Sequence, residues 1–290
     1  MKVKIFLLSF LLLFSAFSPI RASDPIKTAG LGQQIEILKQ EISLLQMLLL
    51  NLQSQQGITA QSYLVVNLSD DSVLLEKNFE KTYPIASVTK LMTAVIALEN
   101  INMDDKIILT EEMLTPFGQS PSLFQGLIIS AENLLRACLI QSTNDAAESL
   151  AYFMGKERFT GLMNQKAKEI NMINTVFYDV HGLNPANTST AADLVRLLTY
   201  IYENHPEILS ITRDNNFWLP DVAGTLLKFQ NVNNFYPLSA FVGGKTGYLS
   251  EAKQTLASIF DLNGEKIAIV LLYSNNRQAD TFTILKQIRN

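Results

Sequence analysis

The chain has 290 residues, 48% hydrophobic and 17% charged, with a formal net charge of −4. That balance is too apolar for a disordered chain, and its acidity lacks the basic footprint of a nucleic-acid or anionic-membrane binder. One cysteine, Cys138, excludes an intramolecular disulfide and a cysteine-rich metal site, while His181 and His205 lie too far apart for a helical His-x-x-x-His zinc pair.

Residues 1–4 carry two lysines, residues 5–17 are apolar apart from Ser9 and Ser15, and Pro19 is followed by small Ala22 and Ser23. A basic start, an apolar middle and small cleavage residues make a secretory signal peptide, expected to be cut after Ala22. The run is shorter than the ~20 residues of a transmembrane helix. Its removal takes Lys2, Lys4 and Arg21 and no acid, so the charge goes from −4 to −7. An uncleaved anchor is the other reading, and both place the rest of the chain outside the cytoplasm, in a periplasmic or other extracytoplasmic space. Residues 23–32, with Pro25, Gly30 and Gly32, read as a linker. Ile35, Leu38, Ile42, Leu45, Leu49 and Leu52 follow at alternating steps of 3 and 4. This heptad spacing predicts a helix over 33–54, either a coiled coil or a spacer lying on its own domain or a membrane surface. Residues 23–56 thus form a linker with a heptad-like helix and 57–290 one globular domain.

From residue 58 the texture is globular. Residues 62–68 are rich in β-formers and read as a strand, Asp70-Asp71-Ser72 as a turn, and 73–75 as a second strand. Helices are expected over 86–99, over 131–153 with Ser130 as N-cap, over 158–170 and over 190–203. Strands over 254–260 and 266–274 flank Asn263-Gly264, a hairpin signal. A helix over 279–289 closes the chain. Strands, then helices, then a hairpin and a helix suggest an antiparallel sheet flanked by helices, an α+β architecture with a helical region and an N-terminal helical spacer.

Three short motifs carry chemistry. Ser87-Val88-Thr89-Lys90 opens a predicted helix, where positions i and i+3 share a face, so the lysine amine can reach the serine hydroxyl. Apolar surroundings would lower the amine's proton affinity and make it a base. The motif recurs as Ser250-Glu251-Ala252-Lys253 before a strand, where the two side chains would diverge. Ser142-Thr143-Asn144 lies inside or at a bend of the 131–153 helix region, with Ser274-Asn275-Asn276 as a second copy. Lys245-Thr246-Gly247 is the rarest of the three, and its glycine lets a substrate approach the backbone of an edge strand.

In this order, the three motifs are the set of the penicillin-interacting serine enzymes. Residues 86–94 and 139–147 resemble the nucleophile region and second motif of low-molecular-weight D-alanyl-D-alanine carboxypeptidases. His181-Gly182-Leu183, with Ser189-Thr190-Ala191 and Asp193-Leu194, resembles a further segment of that family. The similarity runs from about residue 58 to the end. It implies a β-lactamase/transpeptidase-like fold and removal of the terminal D-alanine from peptidoglycan stem peptides. Ser87 would be the nucleophile, Lys90 its base, and the backbone N–H groups of Ser87 and Tyr248 the oxyanion hole. Ser142 and Lys245 would relay a proton, Lys245 and Thr246 would bind the terminal carboxylate beside Gly247, and Asn144 would meet the substrate amide. The implied partners are stem peptides and covalently bound β-lactams, and neither a metal nor an organic cofactor is required. The family usually has threonine at the position of Leu249 and glycine at that of Lys253, which puts acyl-donor preference in question. A D,D-endopeptidase shares the nucleophile chemistry. A class A β-lactamase would add a glutamate three residues before a Leu-Asn pair, but Met47, Val180 and Ile259 stand there instead. His181 and His205 read as loop and turn residues, Cys138 as a buried small residue, and Phe217 and Trp218 as core.

Overall fold

The computed structural model describes residues 34, 57–118, 120, 122–220 and 226–289. The signal, linker and heptad helix expected within 1–56 lie outside the described residues, Gln34 apart. The chain divides into two units, Met1–Asn51 and Leu52–Asn290, and every element named below belongs to the second.

Five antiparallel strands form the central sheet: β1 (Ser62–Asn67), β2 (Ser72–Lys77), and the later β9 (Phe241–Leu249), β10 (Lys253–Leu262) and β11 (Glu265–Ser274). Their order is β2-β1-β11-β10-β9, so β9 is an edge strand. The β10–β11 hairpin turns at Asn263 and Gly264, with Leu262 opposite Glu265. Both turn residues have positive φ, +58° and +93°, as a type I′ turn requires.

Side chains alternate across the strands, so each face builds its own core. Leu64 and Val66 of β1, with Ala268, Val270 and Leu272 of β11, pack against the helical region. Val65, Ile267, Ile269 and Leu271 pack on the other face beneath Ile284 and Leu285 of the closing helix, with Phe235, Phe241 and Phe260. The Phe235 and Phe260 rings meet edge to face at 5.7 Å, a favoured aromatic geometry.

Among the described residues, six α-helices lie between β2 and β9: α1 (Lys90–Asn100), α2 (Ala131–Ile140), α3 (Asn144–Met154), α4 (Lys156–Glu169), α5 (Ala191–Asn204) and α6 (Pro206–Arg213). The closing helix is α7 (Arg277–Gln287). Three two-stranded ribbons accompany them: β3 (Tyr83–Pro84) with β6 (Thr188–Ser189), β4 (Lys106–Ile108) with β5 (Ile128–Ser130), and β7 (Asn216–Pro220) with β8 (Leu226–Gln230). Helix α1 is buried on all sides from Lys90 to Ala97, the mark of a core helix. Ser130 caps α2 as expected, its hydroxyl accepting from Asn133 N at 3.2 Å.

Three expectations change. The helix over 131–153 is two helices, because Ser142 takes a left-handed φ of +61° between α2 and α3. The helix over 86–99 begins as a 3₁₀ turn, Ala86–Thr89, and becomes α-helical only at Lys90. Phe217 is core, stacked on Phe229 at 4.7 Å, but Trp218 is 50% exposed. Adjacent strand residues face opposite sides, so the two could not both point inward from β7.

Candidate active site

Ser87 sits on a tightly constrained turn. Ile85 N donates to Asn187 O at 3.0 Å, and Ile85 O accepts from Thr255 Oγ1 of β10 at 3.0 Å. The next residue, Ala86, has φ +49°, a conformation that costs a non-glycine residue roughly 1–3 kcal/mol and persists only where the surroundings impose it. Gly247 of β9 is what lets the turn sit so close to the strand. A Cβ there would lie 2.8 Å from Ser87 N, 3.0 Å from Ala86 Cβ and 2.5 Å from Thr255 Oγ1. The glycine of the third motif thus makes room for the turn that carries Ser87.

Lys90 begins α1, one turn after Ser87, and its side chain is fully buried. Its Nζ lies 3.0 Å from Ser87 Oγ, 2.7 Å from Asn144 Oδ1 and 2.7 Å from the His181 carbonyl oxygen. Burial pulls its pKa down to about 8. Asn144 Oδ1 and His181 O can only accept hydrogen bonds. A neutral amine therefore spends its two N–H groups on them and turns its lone pair to the Ser87 hydroxyl.

Asn144 heads α3, and its amide is used within the protein: Oδ1 accepts from Lys90, and Nδ2 donates to Phe117 O at 2.6 Å. It thereby joins the Lys90 amine to the Phe117 loop. Ser142 stands in the bend two residues earlier, and no hydrogen bond joins its hydroxyl to Lys90 or Lys245 among the described residues.

Strand β9 supplies the rest. Lys245 is buried, with Nζ donating to Thr246 O at 3.1 Å. Burial, and then the charge of Lys90, hold its pKa well below the usual lysine value. Thr246 is buried, while Tyr248 is 67% exposed at the open edge of the sheet. The second Ser-x-x-Lys does not assemble: Ser250 Oγ donates to Glu251 at 2.6 Å and Lys253 Nζ to Asn275 Oδ1 at 3.1 Å. Lys253 also has φ +50°, a conformation glycine adopts freely. Cys138 is buried and its thiol pushed up to about 11 by that burial, which leaves it protonated.

Two contributors escaped the sequence reading. Arg277, at the start of α7, donates from Nη1 to Gly247 O at 2.8 Å, and its charge bears on Lys245. The His181 carbonyl is the other. Gly182 brings it there, since at φ +84° a Cβ would lie 2.0 Å from Ala86 O. The His181-Gly182-Leu183 triplet was the one available signal, and it marked a loop without showing that its backbone oxygen contacts Lys90.

Comparison with known proteins places this arrangement. The D-alanyl-D-alanine carboxypeptidase family model matches residues 50–276. A D-alanyl-D-alanine endopeptidase of Haemophilus influenzae is 33% identical over 223 residues, covering 75% of this chain and 76% of the relative. A D-alanyl-D-alanine carboxypeptidase of Bacillus subtilis is 31% identical over 235 residues, covering 75% of this chain and 58% of the relative. The fold is similar to the crystal structure of a Mycobacterium tuberculosis D-alanyl-D-alanine carboxypeptidase, with TM-score 0.74, 24% identity and coverage of 80% of this chain and 91% of that one. A Streptomyces DD-transpeptidase superposes with TM-score 0.73 at 25% identity over 80% of this chain and 97% of its own. The chain belongs to the D-alanyl-D-alanine carboxypeptidase family of serine peptidases.

Proposed function

We propose that the chain is a serine D,D-carboxypeptidase that removes the terminal D-alanine from peptidoglycan stem peptides through an acyl-enzyme on Ser87. The observation that carries this reading is the fully buried Lys90 amine, held by two pure acceptors and 3.0 Å from Ser87 Oγ. Ser87 Oγ attacks the carbonyl of the penultimate D-alanine while its proton passes to Lys90 Nζ. The oxyanion is received by the backbone N–H groups of Ser87 and Tyr248, an arrangement worth roughly 3–4 kcal/mol per donor. Lys245, Thr246 and Arg277 form a cationic end for the substrate's terminal carboxylate. As the intermediate collapses, a proton reaches the departing amine through Ser142. Water then attacks the ester, and the same groups return Ser87 to its hydroxyl form. β-Lactams, which present a strained amide to the same nucleophile, acylate Ser87 and leave more slowly.

A second reading is favoured by one observation: three of the relatives at 32–33% identity are named D-alanyl-D-alanine endopeptidases. Endopeptidase cleavage uses the same steps with a cross-linked amine as leaving group. Digestion of purified muropeptides separates the two. Release of free D-alanine from uncross-linked pentapeptide is the expected result, and cleavage confined to cross-linked dimers would overturn it. The N-terminal residues 1–22 support secretion, with the catalytic unit in the periplasm or another extracytoplasmic space. Fractionation of cells that produce the full chain tests this: it is expected outside the cytoplasmic membrane, and recovery in the cytosol would refute it.

A further inference from the structure

The His181 carbonyl that holds the Lys90 amine belongs to a turn with its own organiser. Asp179 gathers four N–H groups onto one carboxylate: Oδ1 accepts from His181 N at 3.1 Å, Gly182 N at 2.5 Å and Asn187 Nδ2 at 2.9 Å, and Oδ2 from Asn184 N at 2.6 Å. Asn187, fully buried, ties this turn to the nucleophile segment. Its Oδ1 accepts from Tyr178 N and Asp179 N, its Nδ2 donates to Thr89 Oγ1 at 3.1 Å, and its carbonyl takes Ile85 N. Thr93 Oγ1 of α1 donates to Val180 O at 2.5 Å from the other side. The turn is thus fixed at both ends to the segment that carries Ser87 and Lys90.

We propose that Asp179 is a positioning residue for the general base: its carboxylate folds the 179–184 turn so that the His181 carbonyl faces the Lys90 amine, and it brings a negative charge close to that amine. The inference rests on the proposed acylation of Ser87 with Lys90 as base. The groups facing Lys90 are Ser87 on its own turn, Asn144 on α3, Cys138 on α2, His181 and Asp179 on the loop, and Lys245 across on β9. Asp179 favours the protonated amine, whereas burial opposes it. Lys245 feels Lys90, Cys138 and Arg277 instead. The His181 imidazole faces Asp179 at 3.3 Å and Glu148 at 3.7 Å, with Lys156 paired to Glu148, and burial lowers its pKa. It is therefore neutral where Lys90 titrates, and Cys138 remains a thiol. Removing the charge of Asp179 makes Lys90 lose its proton at lower pH.

The test is the pH dependence of the acylation rate with a labelled penicillin, measured on the full chain and on Asp179→Asn, Asp179→Glu and Asp179→Ser, with unfolding followed in parallel. The unmodified chain acylates with a rate that rises through pH 8, and Ser87→Ala does not acylate; failure of either result strikes the proposed function, not this inference. Asp179→Asn and Asp179→Ser are expected to acylate at least 10-fold more slowly at high pH, with the rising limb displaced to lower pH. Asp179→Glu is expected to keep the limb in place. A slower rate with an unmoved or upward-moved limb in the neutral variants would overturn the proposal. So would loss of cooperative unfolding in both neutral variants, which would make Asp179 a purely structural residue.

Discussion

At the scale of single residues, the proposed chemistry depends on a lysine that is fully cationic at pH 8 on almost any surface and half neutral at that pH here. Lys90 is brought to about pKa 8 by burial. Acylation of Ser87 is therefore expected to accelerate as pH rises through 8, since the neutral amine is the base. The same shift acts on stability with a definite sign. Lys90 binds its proton less well folded than unfolded, so between pH 8 and its unfolded value of 10.5 the unfolded chain holds more protons. Stability from this group accordingly rises with pH across that window, which denaturant titrations at pH 8 and 10 can measure against Lys90→Met. Lys90→Met is also expected to lower the acylation rate by about 10²–10⁴-fold, the usual worth of a general base. An unchanged rate would remove the lysine from the mechanism. At this scale the motifs marked Ser87, Lys90, Ser142 and Lys245 as candidates, because side-chain chemistry leaves a letter. It was silent about the His181 carbonyl, because every residue has one, and about Arg277, because nothing local marks an arginine that reaches Gly247 from 30 positions away.

At the scale of elements, the site is built from interruptions. A continuous helix over 131–153 would have carried Ser142 within a regular turn, and the actual break at Gln141–Thr143 frees it. The apolar pattern runs straight through that break, since both helices bury the same kind of face against α1. Hydrophobic period therefore could not reveal it, and the left-handed φ of Ser142 has no glycine to announce it. Ser142→Gly should suit that backbone, with stability altered by no more than about 1 kcal/mol, while turnover falls because the hydroxyl is gone. A variant with full turnover would remove Ser142 from proton transfer. Gly247→Ala tests the opposite case. Its Cβ would meet Ser87 N at 2.8 Å, so the nucleophile turn must shift. Penicillin labelling is expected to fall at least 10²-fold, in keeping with the sensitivity of catalysis to small misplacements. Labelling at the original rate would show that the turn tolerates the displacement.

At the scale of the whole molecule, the first and last described segments close on one buried side chain. Asp280 of α7 accepts from Thr59 N at 2.7 Å, Thr59 Oγ1 at 2.9 Å and Ser274 Oγ at 2.6 Å. Lying 221 residues after Thr59, Asp280 fastens the entry into β1 to the end of β11. Asp280→Ala leaves three donors without their acceptor, and the loss of such bonds costs roughly 1–3 kcal/mol each. The denaturation midpoint should drop clearly while the pH profile of acylation keeps its position. A midpoint equal to that of the parent chain would contradict this closure. The sheet hairpin and closing helix were legible in the sequence from Asn263-Gly264 and the apolar periods around it. Strand order was not, because the β1–β11 pairing joins residues whose separation leaves no local pattern.

The central claim is that Ser87 is the nucleophile, activated by Lys90. Intact-mass and peptide mass spectrometry of the protein after incubation with a penicillin tests it most directly. One antibiotic per chain, attached to the peptide containing Ser87 and absent from Ser87→Ala, is the expected result. An adduct on any other residue, or one that survives Ser87→Ala, would contradict it.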